Sequence, residues 1–598
     1  MTTSSVTIVR MWAPLCGTGA AEVRAVLSAL RLGGKRSIER AIEQLPLAPR
    51  ASTPRDVLTD VFGYDDFRPG QARIIDAVIK GRDCIGVMPT GAGKSLTFQI
   101  PARLLDGTVL VVSPLISLMK DQVDALVRNG FRAAVVNSSL EFEERRATLR
   151  RLRAGEYELV YVAPEGLEGS LRTLLADVRI SLVVVDEAHC ISEWGHDFRP
   201  SYRRLRGLKQ ELGGIPILAL TATATRRVAG DIIRQLGMVK PDGFKGSFYR
   251  PNLTLWAHKK GDGRGSRTDL LAYVRRRAAA GESGIIYALS RKNVESLAEF
   301  LRAGGVRAVP YHAGLDDDVR HRHQDAFARD EVDVVVATIA FGMGIDKSNV
   351  RYVIHREMPR SIESYYQEIG RAGRDGLASD CILLYSWADV ISHERFQDQI
   401  DDPDLRAATR EKTRAMFNLA DAPGCRQQRL VAYFEETMEP CSAACDRCRG
   451  ASVLELLHAP ASRSGRRGGD IGSGVLPASE RAHSAGATFA CGAHEGAAGR
   501  TLDGGGRAID RTAGHAAAVL DVADLDSAAE ALFQRLRAVR RALADAEHVP
   551  AYIVFSDAVL ARMAAAHPTD EAGLLAISGV GPAKLARYGE AFLRALRE

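Results

Sequence analysis

Short runs rich in valine, isoleucine and leucine recur between residues 52 and 390: DCIGVMP, TVLVVSP, ELVYVAP, SLVVVDE, PILALTA, GIIYALS, VDVVVAT and VRYVIH. Between them lie segments of helical spacing, such as SLMKDQVDALVRNG and KNVESLAEFLRAGG. Continuous apolar strands alternating with helices predict parallel sheets covered on both faces. The runs are too many for one small sheet. A break near SFYRPNLT (247–254) divides them into two α/β domains, 52–246 and 247–390.

The flanks follow different patterns. Residues 1–51 show no clear period and close on LPLAPRASTP, which reads as a weakly structured extension. Residues 391–450 have helical spacing and end in a cysteine cluster. Residues 461–510 hold 12 glycines and 10 alanines with no lasting period, so a flexible linker is expected over 451–521. Helical spacing returns over 522–598, predicting a small all-helical domain.

Composition narrows this only slightly. A chain of 598 residues is too long for one core, and its 46% hydrophobic and 26% charged residues are ordinary for a globular protein. A net charge of +6 is compatible with a polyanionic partner. No apolar run approaches the roughly 18 residues a membrane span needs. The N-terminus lacks the basic start and apolar core of a secretory signal. Four of nine cysteines crowd into 425–448, which reads as a metal site in a reducing compartment. The other five are assigned no role.

Candidate chemistry starts at MPTGAGKS (88–95), between a strand and a helix. Backbone N–H groups of such a loop, with Thr90, Gly91 and Gly93, can cradle phosphates. Lys94 can reach the β- and γ-phosphates and Ser95 can hold Mg²⁺. Met88 stands where the strict pattern has glycine, so an ordinary glycine turn is the alternative. Asp186 and Glu187 close a strand, expected to neighbour that of the Lys94 loop. Asp186 suits a water-mediated Mg²⁺ contact and Glu187 the orientation and deprotonation of an attacking water. In SYYQEIGRAGRDG (364–376), Arg371 and Arg374 lie three apart and could bring positive charge from the second α/β domain. Among DEAHCISEWGHDFRPSY (186–202), Trp194 or Phe198 could stack on an unpaired base and Arg199 could meet a phosphate. His189 and His196 could hydrogen-bond between the two sites. A core role for the aromatics is the alternative.

MPTGAGKS, DEAH, LTATAT (220–225), VVVATIAFGMGIDK (334–347) and QEIGRAGRDG (367–376) stand in the order of a superfamily 2 helicase core. With FGYDDFRPGQ (62–71) and the extended DEAH stretch, the chain resembles the RecQ-type ATP-dependent DNA helicases over about 52–450 and the final helical domain. The resemblance implies two tandem RecA-like parallel-sheet domains, a helical zinc-binding subdomain, the Gly/Ala-rich linker and an HRDC-like C-terminal domain. It implies that Tyr64 stacks on adenine, Gln71 reads its edge and Arg68 lies nearby. Gln367 belongs to the arginine-finger motif, with Arg374 favoured as the finger. Thr221 and Thr223 resemble the motif that couples hydrolysis to domain movement. The implied activity is 3′→5′ translocation on single-stranded DNA with duplex separation, in recombination, repair and replication. The implied partners are single-stranded and forked DNA, and a single-stranded-DNA-binding protein. A cytoplasmic, nucleoid-associated monomer without membrane is expected.

Cys425, Cys441, Cys445 and Cys448 resemble the family's zinc site, with ATP, Mg²⁺ and Zn²⁺ as the expected cofactors. The Cys441–Cys445 gap is one residue wider than expected. Family members commonly carry a winged helix after the zinc, and 461–510 has too little regular apolar content to form one. Either this member lacks it or the reading frame is altered there, which resequencing the locus would decide. A translocase or annealing factor that unwinds weakly is therefore the alternative function. A passive DNA scaffold and an RNA helicase are further rivals. In the tail, Gly579, Gly581 and Lys584 of ISGVGPAKLARYG are expected to meet a nucleic-acid phosphate, unless they form a plain turn.

Overall fold

Each of the eight apolar runs forms a strand in the computed structural model. The structure describes residues 53–114, 116–137, 140–167, 169–193, 195, 197–261, 266–339, 341, 347–458 and 525–597. The 1–51 extension, Trp194, His196, six residues of the 334–347 motif and nearly all of the expected linker lie outside the described residues.

The first lobe carries β1 (Cys84–Val87), β2 (Thr108–Val112), β3 (Ala133–Val136), β4 (Leu159–Val162), β5 (Ile180–Val185), β6 (Ile217–Thr221) and β7 (Asp242–Lys245). They form one sheet in the order β3-β4-β2-β5-β6-β1-β7. The second carries β8 (Leu253–Lys259), β9 (Ser283–Tyr287), β10 (Ala308–Tyr311), β11 (Val334–Ala337), β12 (Val350–His355) and β13 (Ser379–Tyr385), ordered β10-β11-β9-β12-β13-β8. Every pairing is parallel. Val109, Val111, Leu182 and Val184 face one buried layer and Leu110, Val112, Val183 and Val185 the other, which is why these strands are apolar without alternation.

Two expectations change. The Lys94 loop follows β1 and the carboxylates follow β5, but β6 lies between them, so the strands are not neighbours. That order places Thr221, the last residue of β6, between the two motifs. The first residues of the linker expected from 451 are also regular instead. Val453–His458 form a helix because Val453 and Leu457, four apart, bury themselves in the second lobe's core with Trp256 and Leu270.

Candidate active site

The phosphate loop leaves β1 and enters the helix Leu96–Leu104. Gly91 (φ 82°) and Gly93 (φ 79°) take left-handed backbone, which side-chain-bearing residues adopt at a cost. A Cβ on Gly93 would stand 2.4 Å from Gln71 Nε2, so the second glycine is also a packing requirement. Lys94 Nζ donates to the Met88 carbonyl at 3.2 Å, curling the loop on itself. The loop is fastened to the segment before it. Arg68 donates to the Gly91 carbonyl, and the Gln71 amide donates to the carbonyls of Ala92 (3.3 Å) and Gly93 (3.0 Å). Gln71 thus lines the cleft with its amide engaged by the loop, while Tyr64 stands exposed at the rim.

At the end of β5 the Asp186 N–H donates to the Val112 carbonyl, and the Tyr202 hydroxyl donates to the Asp186 carbonyl at 2.8 Å. Glu187 sits at φ 48°, a left-handed position rare for a non-glycine residue and frequent where a side chain must be aimed. Its Oε2 is buried without a hydrogen-bond partner among the described residues, although His189 Nδ1 lies 3.3 Å away. Desolvation, with Glu187 beside it, pushes the Asp186 carboxyl up to about 7 against the pull of Lys94. Two crowded carboxylates with an orphaned oxygen fit a divalent cation, and Asp186 and Ser95, which line the same cleft, could hold Mg²⁺.

The second lobe supplies the opposite wall. The helix Ile362–Ile369 is capped by the Ser361 hydroxyl and tied to β12 by His355 Nε2 at 2.7 Å from Glu368. It carries Gln367, and the turn after it carries Arg371 and Arg374. These three line one cleft with Tyr64, Arg68, Gln71, Thr90, Gly91, Gly93, Lys94, Ser95, Asp186 and Glu187, with a volume of about 470 Å³. All the residues expected at the nucleotide therefore share one cleft.

The expected coupling residues divide. His189 Nδ1 lies 2.9 Å from Thr221 Oγ1, and the Thr221 hydroxyl donates to the Thr223 carbonyl at 3.1 Å. Glu187 at the cleft thus contacts His189, which with Thr221 and Thr223 forms a buried chain of contacts. Phe198 is half-buried beneath the Arg203 guanidinium, 5.0 Å from its ring centroid. Arg199, expected at a phosphate, is ion-paired with Asp197 at 3.2 Å and donates to the Pro114 carbonyl. In this arrangement it anchors the loop.

The four sulfurs of Cys425, Cys441, Cys445 and Cys448 lie within 4.8 Å of one another. Backbone N–H groups of Gln428 and Cys441 donate to Cys425 Sγ, and that of Cys448 donates to Cys445 Sγ, as thiolates require. Ser442 takes up the extra residue of the wide gap in a left-handed turn (φ 60°). This set fits tetrahedral Zn²⁺. Cys445→Ser is expected to lose the metal and loosen 425–449, read as zinc content by mass spectrometry and as new protease cleavage there.

Reading the sequence missed one wall of the cleft. Tyr552, Ser556, Val559, Gly579 and Lys584 of the C-terminal helical domain line it. The Gly579 N–H, expected at a DNA phosphate, donates instead to the Gly63 carbonyl at 3.0 Å. A Cβ on Gly63 would stand 2.4 Å from the Gly581 nitrogen, so the two backbones meet only as glycines. The glycine pair was the signal, and its partner was the nucleotide lobe. Lys584, half-buried, lies 5.3 Å from the Phe555 ring, and desolvation pulls its ammonium down to about 8.

Comparisons with known proteins follow the same division. Residues 68–232 match the DEAD/DEAH box helicase family, 267–376 the helicase conserved C-terminal domain, 387–449 the RecQ zinc-binding family and 529–596 the HRDC domain. The ATP-dependent DNA helicase RecQ of Pasteurella multocida is 40% identical, over 92% of this chain and 94% of its own. The proteins of the same name from Haemophilus influenzae and Bacillus subtilis are each 38% identical, over 91% of this chain and 96% and 98% of theirs.

Proposed function

Since this chain belongs to the RecQ family of ATP-dependent DNA helicases, we propose that it couples ATP hydrolysis to 3′→5′ movement along single-stranded DNA and to duplex separation in recombination, repair and replication. The observation that carries this reading is the cleft walled by both lobes, with Lys94, Asp186 and Glu187 on one side and Gln367, Arg371 and Arg374 on the other. Phosphoryl transfer is catalysed mainly by positioning and by charge placed where the transition state needs it.

Lys94 and the loop amides bind the β- and γ-phosphates, Tyr64 stacks on the adenine with Gln71 at its edge and Arg68 nearby, and Ser95 and Asp186 would hold Mg²⁺. The ion, when bound, neutralises charge on the transferred phosphoryl group. Glu187 orients the attacking water and accepts its proton, and Arg374 meets the charge that develops opposite. Hydrolysis at Glu187 is relayed through His189 to Thr221 and Thr223, and the 190–202 loop carries it to DNA.

The reading takes single-stranded and forked DNA as partners, a single-stranded-DNA-binding protein as protein partner, a monomer as working unit and the nucleoid as location. Among the described residues no helix is long and apolar enough to cross a membrane.

The test is ATP hydrolysis with and without single-stranded DNA. The expected result is slow hydrolysis alone and strong stimulation by DNA. No hydrolysis in either case would leave only a DNA-binding scaffold. Within that assay Phe198→Ala is expected to keep basal hydrolysis and to need roughly tenfold more DNA for half-maximal stimulation, as the loss of one base stack implies. Trp194→Ala, in the same loop, is expected to behave alike. Unchanged stimulation in both would separate the loop from DNA.

A further inference from the structure

The linker between the lobes, SFYRPNLT, marks a domain boundary in the sequence and has no role in the chemistry above. In the structure its Arg250 lies between two loops that the reaction brings together. Its guanidinium donates to the Thr90 carbonyl of the phosphate loop at 2.8 Å. It also donates to the Gly373 and Ala372 carbonyls of the finger turn, at 2.9 and 3.3 Å. Its Nε donates to Asn252 Oδ1 at 3.2 Å, and Asn252 Nδ2 donates to the same Gly373 carbonyl at 2.9 Å.

The loops it joins are already at contact distance. A Cβ on Gly370 would stand 3.1 Å from Thr90 Cβ, and one on Gly91 3.6 Å from Arg374 Cα. The linker is itself fixed by the zinc subdomain. Phe248 stacks on Phe434 at 4.2 Å and 4°, its N–H donates to Glu436 at 2.6 Å, and Gln427 donates to the Leu253 carbonyl at 2.8 Å. Arg250 is therefore delivered to the lobe boundary from a rigid base.

We propose that Arg250 is a positioning residue that holds the finger turn of the second lobe against the phosphate loop of the first, setting the place of Arg374 when the lobes close. The proposal rests on the reading of the cleft as an ATP site. A guanidinium suits this task because its planar fork can hold carbonyls from two lobes at once. A lysine ammonium on a flexible stem keeps the charge and loses the fork. The partners are backbone carbonyls, so the latch depends on the separation of the loops and not on the identity of their side chains.

The test is a comparison of Arg250→Lys, Asn252→Ala, Arg374→Ala and the combination R250K/R374A in DNA-stimulated hydrolysis at steady state and in single turnover. Arg250→Lys is expected to lower kcat roughly tenfold, as one or two lost charge-assisted hydrogen bonds imply, with the ATP KM within about twofold. Asn252→Ala, which removes the guanidinium's orienting partner, is expected to show the same split to a lesser degree. On the R374A background, Arg250→Lys should cost less than about twofold, because both changes act on one step. A raised KM with normal kcat would make Arg250 a nucleotide contact and overturn the proposal. So would losses that multiply in the combined variant. If Arg250→Lys did not fold, Asn252→Ala with normal kcat would overturn it equally. No hydrolysis by the unaltered chain would overturn the functional reading along with it, whereas normal hydrolysis with multiplied losses would sink the latch alone.

Discussion

Glu187→Gln is expected to cut ATP hydrolysis by about 10³-fold, the scale on which a general base contributes, while leaving ATP binding intact. The amide is nearly isosteric, so the left-handed turn at φ 48° and the contact with His189 can persist. What is lost is the ability to accept a proton. The charge removed is also one of the two causes that push Asp186 up to about 7. Without it the Asp186 carboxyl ionises more easily, so Mg²⁺ and ATP should bind as tightly as before or more tightly. Single-turnover hydrolysis and titration with a fluorescent ATP analogue separate the two effects. Retained hydrolysis would remove Glu187 from the chemistry. Lost binding would make it a ligand instead.

Arg374→Ala is expected to reduce kcat by roughly 10³-fold or more, the range over which arginine fingers act. The turn that carries it lies against the phosphate loop, with the Arg374 Cα 3.6 Å from where a Gly91 Cβ would stand, so its side chain starts from the phosphate-loop wall of the cleft. Arg371 lines the same cleft but is buried beside Tyr287, a position suited to bracing the turn. Arg371→Ala should therefore cost less. Arg374→Lys should recover only part of the loss, because an ammonium keeps the charge without the fork. Measured as kcat with DNA saturating, a larger loss in Arg371→Ala would reverse the two roles.

Much of this site was legible in the sequence because its parts are local. The apolar runs that became β1, β5 and β6 end on the phosphate loop, the carboxylates and Thr221, and each motif needs only its own strand and turn. Edge strands were less visible. The β7 segment Asp-Gly-Phe-Lys buries no continuous face, and Ala133–Val136 is only partly buried along most of its length. Features that depend on distant partners left no local pattern. Thr221 falls between the Lys94 and Asp186 loops only through strand order. Gln71 fastens the phosphate loop across 21 and 22 positions. Gly63 meets Gly581 more than five hundred positions away, and nothing near either residue announces the other. Arg250 looked like punctuation between domains because its partners, Thr90 and Gly373, are 160 and 123 positions distant.

The central claim is that hydrolysis in this cleft drives strand separation. Its most direct test is strand displacement on a forked duplex carrying a single 3′ or 5′ tail, with the unaltered chain and Glu187→Gln side by side. The account predicts ATP-dependent separation from the 3′ tail, little from the 5′ tail and none with Glu187→Gln. Vigorous DNA-stimulated hydrolysis without separation from either tail, or separation undiminished in Glu187→Gln, would contradict it.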